Sequence, residues 1–366
     1  MDPFSHAVLG AIAGTGLARV QRYRSRPSKQ IAPASRTPTM PLFLAAFIGA
    51  VAGLFPDIDV VTYPINPLYY DAYWHRTYTH SAVLAPFWAL LLSACIYALL
   101  RHFSAQRPSF KLIPSFKIIP SFKIIYAICL TGIATHIFGD VITAWGVGVL
   151  LPLSDVRLSL GWIFVVDPIF TLTLVLLFCA LYCGWNHRLV AIVGCLPLLW
   201  LGTAVVQKQQ ALALAQSLPV DTTGNYMAAW PQPLSVFNWK LIRQDDEGIW
   251  SAHVRTTRRA AINWPINWLQ HTSEAFKHTD EVSWRFYSRH PTEGAQAAWS
   301  RVEFGPARDF MTYPVYLRQD PAGCHWFTDL LFVIPTQEPP FQYAVCQSRD
   351  GDWEVKRGDV SMPWQS

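Results

Sequence analysis

The sequence predicts an α-helical polytopic membrane bundle followed by a C-terminal extracytoplasmic β-rich (α+β) domain. Three observations predict it. The 366 residues are 52% hydrophobic and only 14% charged, where soluble domains carry nearer a quarter charged residues. The apolar residues concentrate before about position 206, in the stretches Phe4–Leu17, Leu42–Phe55, Ala82–Leu100, Ile124–Phe138, Ile163–Gly184 and Leu189–Val206. Beyond them the chain changes to short β-type segments punctuated by Gly, Pro and Asp. The expected domains are therefore residues 1–206 and 207–366.

A bilayer core of about 30 Å takes about 20 helical residues, so the third, fifth and sixth stretches read as comfortable spans. The shorter ones suit helices whose ends open onto a polar cavity lined by protein. No basic segment precedes the first stretch, which reads as an uncleaved helix and not a signal peptide; its Gly10 and Gly14 suit close helix packing. Arg19, Arg22, Arg24, Arg26, Lys29 and Arg36 follow that stretch, and Arg101, Arg107, Lys111, Lys117 and Lys123 follow the third, with no acid among them. Basic loops stay in the cytoplasm. This predicts a multi-pass protein of a bacterial inner membrane, with the amino terminus, the acidic loops and everything after Val206 outside. The net charge of +5 is then a topology signal, and nucleic acid is not the expected partner. Pro108–Ile113, Pro114–Ile119 and Pro120–Ile125 form a tandem repeat whose prolines prevent a continuous helix, read as a cytoplasmic connection. Residues 25–40 read as a flexible loop.

In the second domain a polar helix-like stretch, Gln207–Ser217, leads into expected strands at Val236–Ile242, Gly248–Thr256, Val282–Ser288, Ala298–Phe304, Thr312–Leu317 and Trp326–Ile334. Cys95, Cys129, Cys179, Cys183 and Cys195 lie in apolar spans, where a thiol behaves as a small hydrophobe. Cys324 and Cys346 stand apart from them, a pair suited to a disulfide in an oxidising compartment. Trp264, Pro265, Trp268 and Leu269 are candidates for contact with lipid headgroups.

Chemistry-bearing residues fall at the ends of apolar segments. His136 and Asp140 are four apart, so on a helix they project together. Asp57 and Asp59 follow Pro56; one carboxylate can bind a cation while the other orients a histidine. His75 and His80 are five apart and do not share a helix face, so they approach one centre from an entry loop and a first helical turn. Arg76 between them carries a planar fork suited to an anionic oxygen. His6 opens the first stretch. Each element alone reads equally well as structure: a His–Asp helix glue, solvated carboxylates, an interfacial loop, a packed histidine. Together they deliver imidazole and carboxylate ligands to one predicted depth and side, which points to a divalent metal, Zn2+ above others, as one or more ions. Such a metal brings the pKa of water toward neutrality. Asp57 would position the water and Arg76 would stabilise phosphoryl charge. Gly-x-Ser-x-Gly, P-loop and His-Glu-x-x-His signatures are absent from the sequence.

His6 with Gly10, the Phe-Pro-Asp57-x-Asp59 segment, His75-Arg76-x-x-Thr79-His80-Ser81 and His136-x-x-x-Asp140 together resemble the YdjM/YbcI-like inner-membrane metal-dependent hydrolases, a family also labelled LexA-binding. The resemblance covers residues 1–206. It implies metal-site positions at His6, Asp57, Asp59, His75, His80, His136 and Asp140, with Asp167 as an addition. The His-x-x-x-Asp and Thr-His elements are also similar to those of zinc-dependent phospholipase C and P1-type nucleases, which suggests phosphoester chemistry. The expectation is a hydrolase acting on a phosphoester or lipid-like ester at the outer membrane–water interface, with the bilayer as its partner. The alternative is a non-catalytic membrane protein with a structural metal or a regulatory partner. A transporter would place its ionisable groups at mid-membrane, and here they gather at one end.

Overall fold

A computed structural model describes residues 1–24, 39–106, 119–220, 224, 226–257, 265–347 and 351–358. Trp264, most of the expected loop at 25–40 and the first two copies of the tandem repeat, but for Ile119, lie outside the described residues. The chain divides into two units that interleave in sequence: Met1–Val61, Arg76–Leu160 and Pro168–Trp200 form one, and Thr62–His75, Gly161–Asp167 and Leu201–Ser366 the other.

The first half of the chain is helical: α1 (Pro3–Arg24), α2 (Leu42–Leu54), the short α3 (Pro67–Tyr69) of the second unit, α4 (Ala85–Gln106), α5 (Phe122–Val141), α6 (Pro168–Cys183) and α7 (His187–Ser217). Among the described residues, Leu42–Thr62, Ala85–Ser104, Phe122–Val141 and His187–Ser217 are helical, long and apolar enough to cross a membrane. The fifth apolar stretch, expected as a comfortable span, makes a helix of only 16 residues. Pro168 fixes its first turn, and Gly184 at φ +80° ends it in the left-handed region. After Leu54 the α-helix gives way to a 3-10 segment, Phe55–Thr62. The missing N–H of Pro56 falls in the first turn of that segment, where it costs nothing. The third copy of the repeat supplies Phe122–Ile125, the opening turn of α5. The expected polar helix 207–217 continues the sixth stretch without a break, as the single helix α7.

Small residues bring α1, α2 and α5 together. Gly10 and Gly14 of α1 face Ala45, Gly49 and Gly53 of α2, spaced four apart on both helices. A Cβ at Gly10 would land on the Gly49 carbonyl, one at Gly14 on that of Ala45, and one at Gly49 on that of Gly10. On the far side, a Cβ at Gly132 of α5 would lie 2.7 Å from that of Ala52. Such spacing lets backbones approach where lipid gives no hydrophobic drive for helices to associate. Around the contact lie buried Ala45, Ile48, Ala52, Ile125, Ile128 and Ile133.

The second unit holds two four-stranded antiparallel sheets, each in sequential order. One contains β1 (Tyr226–Pro231), β2 (Asn238–Gln244), β3 (Gly248–Arg255) and β4 (Arg285–Ser288); the other contains β5 (Pro314–Gln319), β6 (His325–Asp329), β7 (Gln342–Gln347) and β8 (Trp353–Arg357). Between them run α8 (Asn267–Glu274), α9 (Glu293–Trp299) and α10 (Gly305–Phe310). Ala211 and Ala215 of α7 pack on Trp239, Leu241, Ala252 and Val254. The expected strand at Ala298–Phe304 is instead the end of α9 and a 3-10 turn. Thr292 starts that helix, its hydroxyl accepting from Ala295 N, a cap that β-type composition hides. The run Trp326–Ile334 leaves the sheet after Asp329, whose buried carboxylate accepts from the N–H groups of Thr312, Tyr313 and Leu331. Lys240, fully buried, donates to the carbonyls of Leu330 and Val333, and burial brings its pKa down to about 7. A disulfide joins Cys324 to Cys346.

Two outcomes follow for stability. Gly49→Val forces a side chain into backbone, so detergent-solubilised protein should melt lower, by about 1–3 kcal/mol or more. Gly16→Ala, where nothing lies within 4 Å of a new Cβ, should be neutral or stabilising by up to about 1 kcal/mol; an equal loss in both would refute the close approach. Thiol titration of the unfolded, unreduced chain should find five of the seven cysteines. Reduction should then weaken the unit against denaturant by about 3 kcal/mol in the chain-entropy account.

Candidate metal centre

His136 and Asp140 stand one turn apart in the last turns of α5 and are fully buried. His80 ends the 3-10 turn Tyr78–His80 and is also fully buried. Ser81 fixes the approach to α4: its hydroxyl donates to Leu151 O at 2.5 Å and accepts from Leu84 N, while Ala82 N donates to Val149 O. Asp57 comes from the 3-10 segment after α2, and its side chain stays 30% exposed.

Four ligand atoms converge. His80 Nε2 and His136 Nε2 face each other at 3.0 Å. Asp57 Oδ1 lies 3.4 and 3.5 Å from them, and Asp140 Oδ2 lies 3.3 Å from each. All four fall within 4.8 Å of one another. Ligands about 2.0–2.1 Å from a tetrahedral ion stand about 3.3 Å apart, so these separations fit a zinc-type cation. Asp140 Oδ2 is buried and makes no hydrogen bond, as a ligand-facing oxygen would.

The outer atoms of both imidazoles are tied. His136 Nδ1 donates to the Gly53 carbonyl at 2.6 Å. A carbonyl only accepts, so the ring proton sits on Nδ1 and the Nε2 lone pair points inward. His80 Nδ1 donates to Thr79 Oγ1 at 3.0 Å, and that hydroxyl donates to Asp59 Oδ2 at 3.3 Å. Two inward lone pairs at 3.0 Å repel unless a cation or proton lies between them. Burial lowers the pKa of His80, but the neighbouring Asp140, Asp57 and Asp59 carboxylates outweigh it and raise it. The field that draws a proton there also draws a metal ion.

Asp59 thus sits on the outer edge of His80, and its Oδ2 also accepts from Arg76 N at 3.2 Å. Arg76 is buried, with a left-handed backbone at φ 58°. Its guanidinium donates to Asp140 Oδ1 at 2.9 Å and to Trp145 O at 2.9 Å, over the Trp145 ring. His6 stacks on His136, ring centroids 3.7 Å apart, and its Nε2 meets Asp140 Oδ1 at 3.2 Å, outside the four-atom group. The Met1 amino group also contacts Asp140 Oδ1. His75 belongs to the second unit, where Nδ1 bonds Tyr70 Oη at 2.9 Å. Asp167 belongs there too, just before α6. Thr79 is part of the sequence motif, here as the hydroxyl that links His80 to Asp59; the Gly53 carbonyl is the contact that the motifs do not name. The four-residue spacing of Gly49 and Gly53, matching that of Gly10 and Gly14, was the available signal for that contact.

Membrane-length helices and a group of two histidines and two carboxylates, three of the four buried, define a membrane protein with a candidate metal site. The family model described as YdjM inner membrane protein matches residues 1–211, more than half of the chain, and the protein belongs to that family, as its motifs led us to expect. No curated protein and no solved structure matches the chain.

Asp59→Asn keeps the shape of the outer support and removes its charge. It should weaken divalent-metal affinity about 10–100-fold in chelator competition; wild-type affinity in this variant would remove Asp59 from the support of His80.

Proposed function

We propose that the protein is a multi-pass, metal-dependent hydrolase of a bacterial inner membrane, acting on a phosphoester or lipid-like ester at the outer interface. The observation that carries the reading is the difference in burial within the four-atom group: His80, His136 and Asp140 are enclosed, and Asp57 alone opens to solvent. Three enclosed ligands with one reachable corner is the pattern of catalytic zinc, where structural sites are closed. His80, His136 and Asp140 would hold a divalent cation of the zinc type, which when bound would supply Lewis acidity toward water and toward a phosphoryl or acyl oxygen. Asp57 at the reachable corner takes the proton of the attacking water as general base. Gly53 and the Asp59–Thr79 pair keep both imidazoles in the tautomer that presents Nε2. Arg76, which the sequence reading turned toward a phosphoryl oxygen, holds Asp140 in place. The basic segments 19–36 and 101–123 and the Cys324–Cys346 disulfide support an outward-facing second domain.

A second reading, a structural metal in a non-catalytic protein, is favoured by the tetrahedral spacing of all four ligand atoms, since a closed protein shell leaves no corner for water. Metal analysis of wild type beside His136→Ala, Asp140→Ala and Asp57→Asn separates the two. The hydrolase should hold divalent metal in wild type, lose it in the first two variants and keep it in Asp57→Asn. Hydrolysis of phosphodiester and phospholipid substrates should fall roughly 100-fold or more in Asp57→Asn. Metal lost equally from all three variants, with no hydrolysis in wild type, would establish the structural reading. Metal content unaffected by His136→Ala and Asp140→Ala would sink both.

A further inference from the structure

The first sheet of the second unit carries a pocket of about 360 Å³, within the size range of small-molecule sites. Successive side chains of a strand alternate in face, and Ser251 pairs with Arg285 across β3 and β4. Ser251, His253, Arg285 and Tyr287 therefore share one sheet face, and all four line the pocket together with Lys277 and Ser283. Ser251 is 4% exposed, and its hydroxyl has no hydrogen-bond partner. His253 Nε2 is likewise buried without one; burial and then Lys240 bring the pKa of this imidazole down to about 3, leaving a neutral donor or acceptor. Arg285 and Lys277 are exposed residues, and the Arg285 guanidinium lies 5.2 Å from the Tyr287 ring centre. Glu338 is the single acid among the described lining residues.

An unsatisfied buried hydroxyl costs stability unless something in the pocket pairs with it. From this we infer that the pocket is a binding site for a small phosphate monoester. Two cations neutralise the dianion, and their N–H groups together with three hydroxyls and one imidazole offer more donors than the roughly four lone-pair sites of a carboxylate can accept. Val333, Ile334 and Pro335 form an apolar wall for the body of the ester. The ligand is either a soluble ester or the headgroup of an anionic lipid; phosphate recognition is common to both. The site is separate from the metal-type centre and does not depend on hydrolysis there.

The test is calorimetric titration of the full-length protein in detergent with glycerol 3-phosphate, with glycerol and with dihexanoyl phosphatidic acid. Saturable binding of either phosphate compound, with none of glycerol, is expected, and the tighter of the two identifies the source. Arg285→Gln and Lys277→Gln, both at exposed side chains, should each weaken that binding about tenfold, and Ser251→Ala should weaken it severalfold. Affinity unchanged in both Arg285→Gln and Lys277→Gln, as phosphate captured by the other unit would give, overturns the inference. So does equal binding of glycerol, or no saturable binding of either phosphate compound.

Discussion

The candidate centre depends on one close approach, that of α5 to the end of α2 at Gly53. Its carbonyl takes the Nδ1 proton of His136 at 2.6 Å, and this bond decides which nitrogen of the ring faces inward. The approach exists because the residues around it have almost nothing to keep the backbones apart. Gly10 and Gly14 on α1, and Ala45, Gly49 and Gly53 on α2, hold a shared seam, and His6 rides on it to stack against His136. A methyl group added to the seam would move the Gly53 carbonyl by a distance comparable to the hydrogen bond's tolerance. The packing of three helices and the chemistry of one imidazole are the same constraint.

His80 reaches the centre by a different kind of support. It sits on a short 3-10 turn, so its position comes from neighbours and not from a long helix. Asp59 accepts from the Thr79 hydroxyl and from Arg76 N, Arg76 O accepts from Gly148 N, and Ser81 is tied to Leu151 O. Arg76 is in the left-handed region, which costs a non-glycine residue about 1 kcal/mol or more. The conformation is held because it lets backbone N–H, backbone carbonyl and guanidinium each meet a separate partner. Asp140 gains from the same arrangement: Arg76 occupies Oδ1, which leaves Oδ2 toward the two histidines.

Much of this was legible in the chain. The i, i+4 spacing of His136 and Asp140, the Asp57-x-Asp59 pair and the Thr79-His80-Ser81 run carried their own geometry, because each is local and each sits where an apolar segment ends. The pairing of Cys324 with Cys346 was legible because no other cysteines lay outside the apolar spans. What the chain did not show is non-local. The spacing of Gly49 and Gly53 marks a close helix approach, but every residue has a carbonyl and only packing selects that of Gly53 as the acceptor for His136. In the second unit, β-type composition hid the Thr292 cap, and β1, β7 and β8 were missed because short paired strands take their stability from partners far along the chain.

The location of the ionisable groups also bears on what the centre can do. Asp57 lies in the 3-10 segment that follows α2, His80 ends a 3-10 turn before α4, and His136 and Asp140 close α5. A transport path needs charged or polar groups distributed along the helices through the apolar depth. This arrangement instead gathers them in one group, beside a core of α1, α2 and α5 that is largely Gly, Ala and Ile. Among the four, Asp57 is the exception, on a segment that is no longer α-helical and with a side chain open to solvent. Its side chain, 30% exposed, is the one among the four that solvent reaches, while the other three are held by packed neighbours.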